Sequence, residues 1–321
     1  MTHGTRRASV VALGGGHGLY ASLSALRQVV EDLTAVVTVA DDGGSSGRLR
    51  DEFGVLPPGD LRMALAALCG DDEWGQTWAQ VLQHRFAGDG DMRGHVVGNL
   101  LIVSLWEQLG DHVAALDWVG RLLGASGRVL PMALSPLVMT AQMRGVDPSA
   151  PDEVTTVRGQ VRVATSAGTI LSVALDPADP VPCPEAVIAV RSADWVVLGP
   201  GSWYTSVIPH LLVPDLCRAV VGTSGKVVVV LNLAPQDGET PGFEPADHLA
   251  ALLEHAPDLR VHTVLADVRS VPDRASLESA VEDAGARLVV ADIAAADGSA
   301  RHDPGKLAAA YDGVIAGREG D

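Results

Sequence analysis

The chain has 321 residues, of which 47% are hydrophobic and 20% are charged, and its formal net charge is −17 at pH 7. This length and apolar content suffice for one large α/β domain or two smaller ones. The negative charge excludes binding to a nucleic-acid backbone as a main activity, because that activity needs clustered lysine and arginine side chains.

The cysteine and hydropathy patterns predict a reducing, aqueous environment. Cys69, Cys183 and Cys217 lie far apart without a C-x-x-C pair, so they indicate neither a disulfide framework nor a zinc site. No apolar segment approaches the length of a membrane span. We therefore expect a cytoplasmic protein that does not span a membrane and does not bind nucleic acid.

The first predicted elements form a strand, a glycine turn and a helix. Residues 8–13 are typical of a buried strand, residues 14–18 read GGGHG, and residues 19–29 have helical apolar spacing. Glycines let the backbone approach an anion, and the following helix points its free N–H groups at it. The spacing departs from the dinucleotide fingerprint, since Leu19 and Ala21 stand where that pattern needs glycine. We expect ligand contacts at Gly14, Gly15, Gly16 and Gly18, although a tight turn without a ligand also fits this segment alone.

A second predicted strand, residues 34–40, ends at two adjacent acids. The run DDGGSSGR at residues 41–48 is read as a glycine- and hydroxyl-rich loop that suits a polar, phosphorylated ligand. Neighbouring side chains at a strand's end point to opposite sides, so we expect one of the two carboxylates to face the ligand. The candidate residues here are Asp41, Asp42, Gly43, Gly44 and Ser45.

Helical patterns follow the acidic run. A Pro-Pro-Gly turn ends at Asp60, which we interpret as the N-cap of a helix reaching about residue 68. Further helical patterns cover residues 74–86 and 96–123, and the break between them delivers His95 and Asn99 to the start of a helix. From about residue 128 to 175 the chain alternates in β fashion without a convincing helix, which predicts a β-rich excursion.

The second half alternates strands and helices again. Strands are predicted at residues 195–198, 227–231, 261–265 and 288–290. The first of them runs into GPGSWYTS at residues 199–206, where Ser202 and Thr205 can donate to phosphate and Tyr204 can either stack on a base or cover the sheet end. The candidate residues of this segment are Gly199, Gly201, Ser202, Tyr204 and Thr205. Residues 232–242, taken singly, are better interpreted as a polar surface turn.

These elements predict one α/β nucleotide-binding domain over residues 1–321. Buried strands that alternate with helices are typical of a Rossmann-like, mostly parallel, doubly wound sheet. In such sheets ligands sit beyond the carboxyl ends of the strands, so the three glycine-rich segments are expected to converge on one crevice.

Five segments resemble the YvcK family, whose members are described as gluconeogenesis or cell-morphogenesis factors. They are GGGHG at 14–18, VTVADDGGSSGRLR at 37–50, LPPGD at 56–60, GNLL at 98–101 and GPGSWYTS at 199–206. The resemblance implies a Rossmann-like core that binds UDP-N-acetylglucosamine, a role in cell shape and envelope precursor supply, and a homodimer. It also implies ligand contacts at Arg62, His95, Asn99 and Arg301.

The same family is related to the 2-phospho-L-lactate transferases, which leaves two functions open. We expect first a regulatory binder of a nucleotide sugar, with no catalytic residue, no required cofactor and no metal ligand. The alternative is a nucleotide-dependent phospho-group transferase in which Asp41 or Asp42 holds Mg²⁺ against a diphosphate. The transferases use a large deazaflavin acceptor, and we expect residues 43–50 to fill the volume that it would need.

Overall fold

The computed structural model describes residues 8–317, which form a large parallel sheet with helices and a small antiparallel sheet. The strands are β1 (Ser9–Gly14), β2 (Asp32–Val37), β3 (Arg128–Pro131), β4 (Val138–Arg144), β5 (Val154–Arg158), β6 (Thr169–Asp176), β7 (Trp195–Leu198), β8 (Lys226–Val230), β9 (Thr263–Asp267) and β10 (Arg287–Ala291). The α-helices are α1 (Gly16–Leu26), α2 (Gly44–Phe53), α3 (Gly59–Ala67), α4 (Glu73–Gln83), α5 (Val97–Leu109), α6 (His112–Leu123), α7 (Gln160–Thr165), α8 (Pro184–Ser192), α9 (Pro214–Val221), α10 (Pro245–His255), α11 (Arg274–Asp283) and α12 (Pro304–Ile315).

The large sheet reverses its strand order between β1 and β7. Its order is β10-β9-β8-β7-β1-β2-β3, and every neighbouring pair is parallel. The strands that follow β1 are therefore added on one side of it, and the strands that follow β7 are added on the other side. A reversal of this kind opens a crevice at the carboxyl ends of the two central strands.

The central strands are apolar runs because both faces of the sheet are covered. All four residues of β7 are buried, and only the first residue of β1 and of β8 is not. Continuous apolar runs rather than alternation are typical of parallel strands. The predicted Rossmann-like α/β fold is confirmed.

The β-rich segment predicted near residues 128–175 divides into two parts. Arg128–Pro131 forms β3, which pairs with β2 as the edge of the large sheet. The strands β4, β5 and β6 form the separate antiparallel sheet in the order β5-β4-β6. The absence of a helix here was a wrong expectation, because α7 lies between β5 and β6.

Two helical segments differ from the sequence-based expectation. The run after Asp42 was expected to be a loop, but α2 covers Gly44–Phe53, and Gly54, with a φ of +65°, is its C-cap. The helical pattern over residues 96–123 is two helices. Gly110, with φ +66°, ends α5, and the Asp111 carboxylate accepts the Val113 and Ala114 N–H groups at 2.9 and 3.0 Å to begin α6.

None of the helices within residues 8–317 has the length and hydropathy needed to cross a membrane.

Two helical glycines allow a test of the backbone contact at the crevice. A Cβ on Gly18 would overlap with the carbonyl oxygen of Pro200 and lie 2.5 Å from the Cα of Gly201, whereas a Cβ on Gly313 in α12 meets nothing within 4 Å. We expect Gly18→Ala to lower the free energy of unfolding by about 1–3 kcal/mol. Gly313→Ala should raise it by about 0.5–1 kcal/mol, because alanine is the better helix former. Urea denaturation measures both, and equal stabilisation by the two changes would contradict the close contact at Gly18.

Candidate functional site

The glycine turn after β1 forms the N-terminal end of α1. Gly14 is the last residue of β1, and its carbonyl oxygen accepts the Thr38 N–H at 3.0 Å. Gly15 is the N-cap, and no side chain caps the helix from that position. Gly16 has a φ of +56°, a left-handed conformation that favours glycine. The first turn of α1 therefore directs N–H groups and the positive end of the helix dipole into the crevice.

A cavity of 690 Å³, the larger cavity, opens at this end of α1. Its walls come from the segments that follow β1, β7, β8 and β10, on both sides of the reversal in strand order. This volume lies in the range of small-molecule sites. Six of the predicted site residues line it: Gly15, Gly16, Gly18, Gly201, Ser202 and Arg301.

A second depression of 210 Å³, the smaller cleft, lies beside α2 and α3. Six other predicted residues line it: Asp41, Gly43, Gly44, Ser45, Arg62 and Asn99. His95 is joined to it through Ser45, whose Oγ lies 3.3 Å from the His95 Nδ1. Burial, together with the nearby Arg48, lowers the pKa of His95, which favours a neutral ring.

Asn99 and Arg62 supply polar groups to the smaller cleft. The Asn99 Nδ2 donates to Ser45 Oγ at 3.1 Å, while its buried Oδ1 has no hydrogen-bond partner among the described residues. Arg62 is 7% exposed, and its Nε donates to the Gly59 carbonyl oxygen at 3.4 Å. Burial and the neighbouring Arg85 lower the pKa of Arg62 to about 10, so it stays charged at neutral pH. Asn99 thus offers the cleft a free acceptor, and Arg62 offers it a cation beside that of Arg85.

The two adjacent acids point in different directions. Asp41 lines the smaller cleft, and its Oδ1 accepts the Gly43 N–H at 2.9 Å. Asp42 turns to the small antiparallel sheet, where its Oδ1 accepts the Val161 N–H of α7 at 2.9 Å. Burial raises the pKa of Asp41. Asp41 is therefore the carboxylate that borders the smaller cleft, and the more exposed Asp42 holds α7 against the strand end.

Asp60 connects the two depressions, and its interpretation as an N-cap was wrong. Pro58 occupies the N-cap position of α3, so the carboxylate of Asp60 lies in the first turn and lines the smaller cleft. This carboxylate accepts the Gly16 N–H, and a Cβ on Gly15 would lie 2.5 Å from its Oδ2. Burial first, and then the charge of Asp41, raise the pKa of Asp60 to about 7.

The segment after β7, the β7 loop (residues 199–206), has most of its N–H groups already paired. Side chains of the β8 loop (residues 232–242) accept them. Asn232 Oδ1 accepts the Gly201 N–H at 2.9 Å, and Gln236 Oε1 accepts the Trp203 N–H at 3.1 Å. Glu239 Oε2 accepts the Tyr204 and Thr205 N–H groups at 2.9 and 3.2 Å. This loop therefore contributes mainly shape to the larger cavity, because the β8 loop accepts four of its N–H groups.

Three predicted residues of the β7 loop lie outside the cavity lining. The Thr205 Oγ1 donates to Glu239 Oε1 at 2.6 Å. Tyr204 is 7% exposed and makes edge contacts with the rings of Phe243 and His255. Gly199, with φ +75°, packs against the carbonyl oxygen of Val230. Of the two interpretations of Tyr204, covering the sheet end describes its packing.

The structure adds residues that sequence reasoning missed. The β8 loop was interpreted as a surface turn, yet Glu239 and Thr240 are 3% and 0% exposed. The position of the β8 loop directly after a buried strand was the sequence signal that could have indicated its burial. Asp60 was missed because the Pro-Pro-Gly turn explained it as a cap. Further lining residues of the larger cavity are Tyr20, Ser206, Asn232, Gln236 and His302.

The raised pKa of Asp60 predicts a pH-dependent stability. A carboxyl whose pKa rises from an ordinary value of 3.8 to about 7 on folding contributes stability below about pH 4 that is lost as the pH rises through 7. Asp60→Asn keeps an oxygen for the Gly16 N–H without the charge. We expect this variant to exceed the parent protein in unfolding free energy by about 2 kcal/mol at pH 8.

Urea denaturation at pH 4.5, 6 and 8 measures the effect of Asp60→Asn, and the gain should shrink towards pH 4.5. Asp258→Asn, which removes a carboxylate from an exposed turn, is the control, and its free energy of unfolding should stay within about 0.5 kcal/mol of that of the parent protein. A constant gain for Asp60→Asn at all three pH values would show that titration of Asp60 is not the cause.

Comparison with known proteins identifies the family. A family model described as 2-phospho-L-lactate transferase CofD matches residues 10–302. A protein of Mycobacterium tuberculosis, whose name carries the term gluconeogenesis factor, is 52% identical over 310 residues, which cover 96% of this chain and 90% of that protein. A protein of Listeria monocytogenes named gluconeogenesis factor is 36% identical over 310 residues, with 93% of each chain covered.

A solved structure agrees with these matches. The crystal structure of a member of the UPF0052 family from Bacillus halodurans superposes with a TM-score of 0.84 at 33% identity, covering 96% of this chain and 99% of that one. The resemblance to the YvcK family is thereby confirmed. The chain belongs to the CofD family and, within it, to the gluconeogenesis factors of the YvcK (UPF0052) group.

Proposed function

We propose that this protein is a regulatory protein that binds a nucleotide sugar, with UDP-N-acetylglucosamine as the ligand. The observation that carries the proposal is the N-terminus of α1, which opens into a cavity of 690 Å³ at the reversal in strand order. Gly15 supplies no side-chain cap there, and Asp60 accepts the N–H of Gly16. Free N–H groups and the helix dipole favour a diphosphate there. Gly16 leaves room for it, since a Cβ on Gly16 meets no atom within 4 Å.

The two depressions suit the two ends of such a ligand. The larger cavity extends from α1 towards the segments after β8 and β10, where Arg301 lies on the wall, and it takes the nucleoside. The smaller cleft lies on the β2 side and offers Asp41, Arg62 and the unpartnered Asn99 Oδ1 to the hydroxyl and amide groups of the sugar. Asp60 lies between the two depressions, where its carboxylate accepts the Gly16 N–H next to the expected diphosphate.

The names of the relatives support a regulatory role. Proteins that share 36% to 52% of their residues with this chain are named gluconeogenesis factors. A nucleotide sugar that feeds envelope synthesis is a suitable signal for a cytoplasmic factor of carbon metabolism and cell morphogenesis. Under this proposal the ligand reports precursor supply, and a homodimer passes the signal to a protein partner.

A transferase is the second candidate, and the pairing of Asp41 with Asp60 favours it. Mg²⁺ in nucleotide sites is commonly held by one or two carboxylates together with phosphate oxygens. Asp41 and Asp60 both line the smaller cleft, and the charge of Asp41 raises the pKa of Asp60. Such a metal would neutralise phosphate charge during transfer of a phospho-group. The volume of 210 Å³ beside these acids is small for a deazaflavin acceptor, which supports the binder instead.

The requirement for magnesium separates the two functions. If Asp41 accepts from sugar hydroxyls, we expect the affinity for UDP-N-acetylglucosamine to change less than about threefold when a chelator removes divalent ions. We also expect no UDP or UMP release over several hours. Calorimetric titration with and without chelator, and chromatography of the incubated ligand, make these measurements. Binding that disappears with chelator, or steady product release, would establish the transferase in place of the regulator.

The glycine turn provides a test with a matched control. Gly16→Val places a branched side chain where the diphosphate must approach, so we expect at least about a 100-fold loss of affinity for UDP-N-acetylglucosamine. Gly110→Val is the control, because Gly110 also has a positive φ, +66°, and open space but lies at the end of α5. Both variants carry similar backbone strain.

Calorimetry measures the affinity of the Gly16 and Gly110 variants, and far-ultraviolet circular dichroism verifies the fold of both. Loss of binding in Gly16→Val alone supports the proposed site. Parent-like affinity in a folded Gly16→Val protein would remove the glycine turn from it.

A further inference from the structure

One of the three tyrosines of the chain lies on the wall of the larger cavity. Tyr311 is fully buried and its hydroxyl shares a 2.6 Å hydrogen bond with Ser22. Tyr204 is packed against Phe243. Tyr20 differs from both, because its ring is only partly buried and borders the cavity. Core packing therefore accounts for Tyr204 and Tyr311, whereas Tyr20 packs against the core and is still partly exposed where it borders the larger cavity.

The position of Tyr20 relates it directly to the expected phosphate. Tyr20 follows Gly16 by four residues on α1, which is about one helical turn, or 6 Å along the axis. The opposite wall of the cavity comes from the segment before α12, which includes Arg301, His302 and Pro304. A planar group attached to a phosphate at the N-terminus of α1 enters the space between these walls.

We propose that Tyr20 is a ligand-binding residue whose ring packs against the base of the bound nucleotide. This inference rests on the proposed nucleotide site and deepens it, because it assigns the base to the α1 side of the larger cavity. An aromatic ring offers a base a large flat apolar surface, and base–aromatic stacking tolerates different bases because every base has a π face. Recognition of a particular base then depends on hydrogen bonds from other groups.

Substitution of Tyr20 tests the contact with ligands that differ in the base. UDP carries the base, whereas inorganic pyrophosphate offers only the diphosphate. We expect Tyr20→Leu to weaken UDP binding by about 10-fold to 100-fold, and Tyr20→Phe to stay within about threefold of the parent protein. The affinity for pyrophosphate should be unchanged in both. Phe53→Leu, at an aromatic residue that is 46% exposed at the end of α2, is the control and should bind UDP like the parent.

The outcomes of this titration separate the inference from the proposed function. If the parent protein binds neither UDP nor pyrophosphate, the proposed nucleotide site itself is overturned. If the parent binds UDP and Tyr20→Leu binds it equally well, only the role of Tyr20 is overturned. An equal loss for UDP and pyrophosphate would assign Tyr20 to the structure of α1 rather than to the base.

A second measurement avoids any change to the fold. Protein labelled with 3-fluorotyrosine has one fluorine signal for each of its three tyrosines, and the spectrum of Tyr20→Phe assigns the signal of Tyr20. We expect UDP to shift this signal because of the ring current of the base, and pyrophosphate to leave it nearly unchanged. Equal shifts by both ligands, or no shift at saturating UDP, would overturn the stacking contact.

Discussion

The close approach of two backbone segments at the reversal in strand order is the constraint on which the candidate site depends. The first turn of α1 lies against the β7 loop so tightly that Gly18 has no room for a Cβ beside Pro200 and Gly201. Because β1 and β7 are neighbours whose chains continue in opposite directions, this contact forms the floor of the crevice. Any side chain at Gly18 would separate the helix end from the loop.

The hydrogen bonds already made within this floor determine which part of it can hold an anion. The β7 loop has the glycine-rich composition of a phosphate-binding loop, but Asn232, Gln236 and Glu239 already accept its N–H groups. Glu239 is a buried carboxylate, and burial raises its pKa. The bonds that it accepts from Thr205 and Tyr204 offset part of this rise. Asp60 accepts the Gly16 N–H at the start of α1, and the following N–H groups of the first turn are the donors left for a ligand.

Charged side chains surround the smaller cleft. Asp41, Asp60 and Arg62 all line the cleft, and the carboxyl of Asp60, with a pKa of about 7, is poised between its two protonation states at neutral pH. A cation or a ligand donor would favour the charged form, and a phosphate would favour the neutral one. This chain matches both the transferase family model and proteins named gluconeogenesis factor, so its fold alone does not determine its function.

The sequence by itself determined the fold class and the glycine turn, because a strand, a turn and a helix that are adjacent in the chain show their periodicity locally. The Gly14–Gly18 segment and β7 were placed on this basis. Tertiary structure alone decided which polar groups are free. The Tyr204 ring packs against Phe243 and His255, and its N–H group is accepted by Glu239, 35 residues away. Asp60 reaches Gly16, and Tyr20 faces a cavity whose far wall begins near residue 295. Such long-range contacts depend on the order of the strands in the sheet, and local sequence patterns do not predict that order.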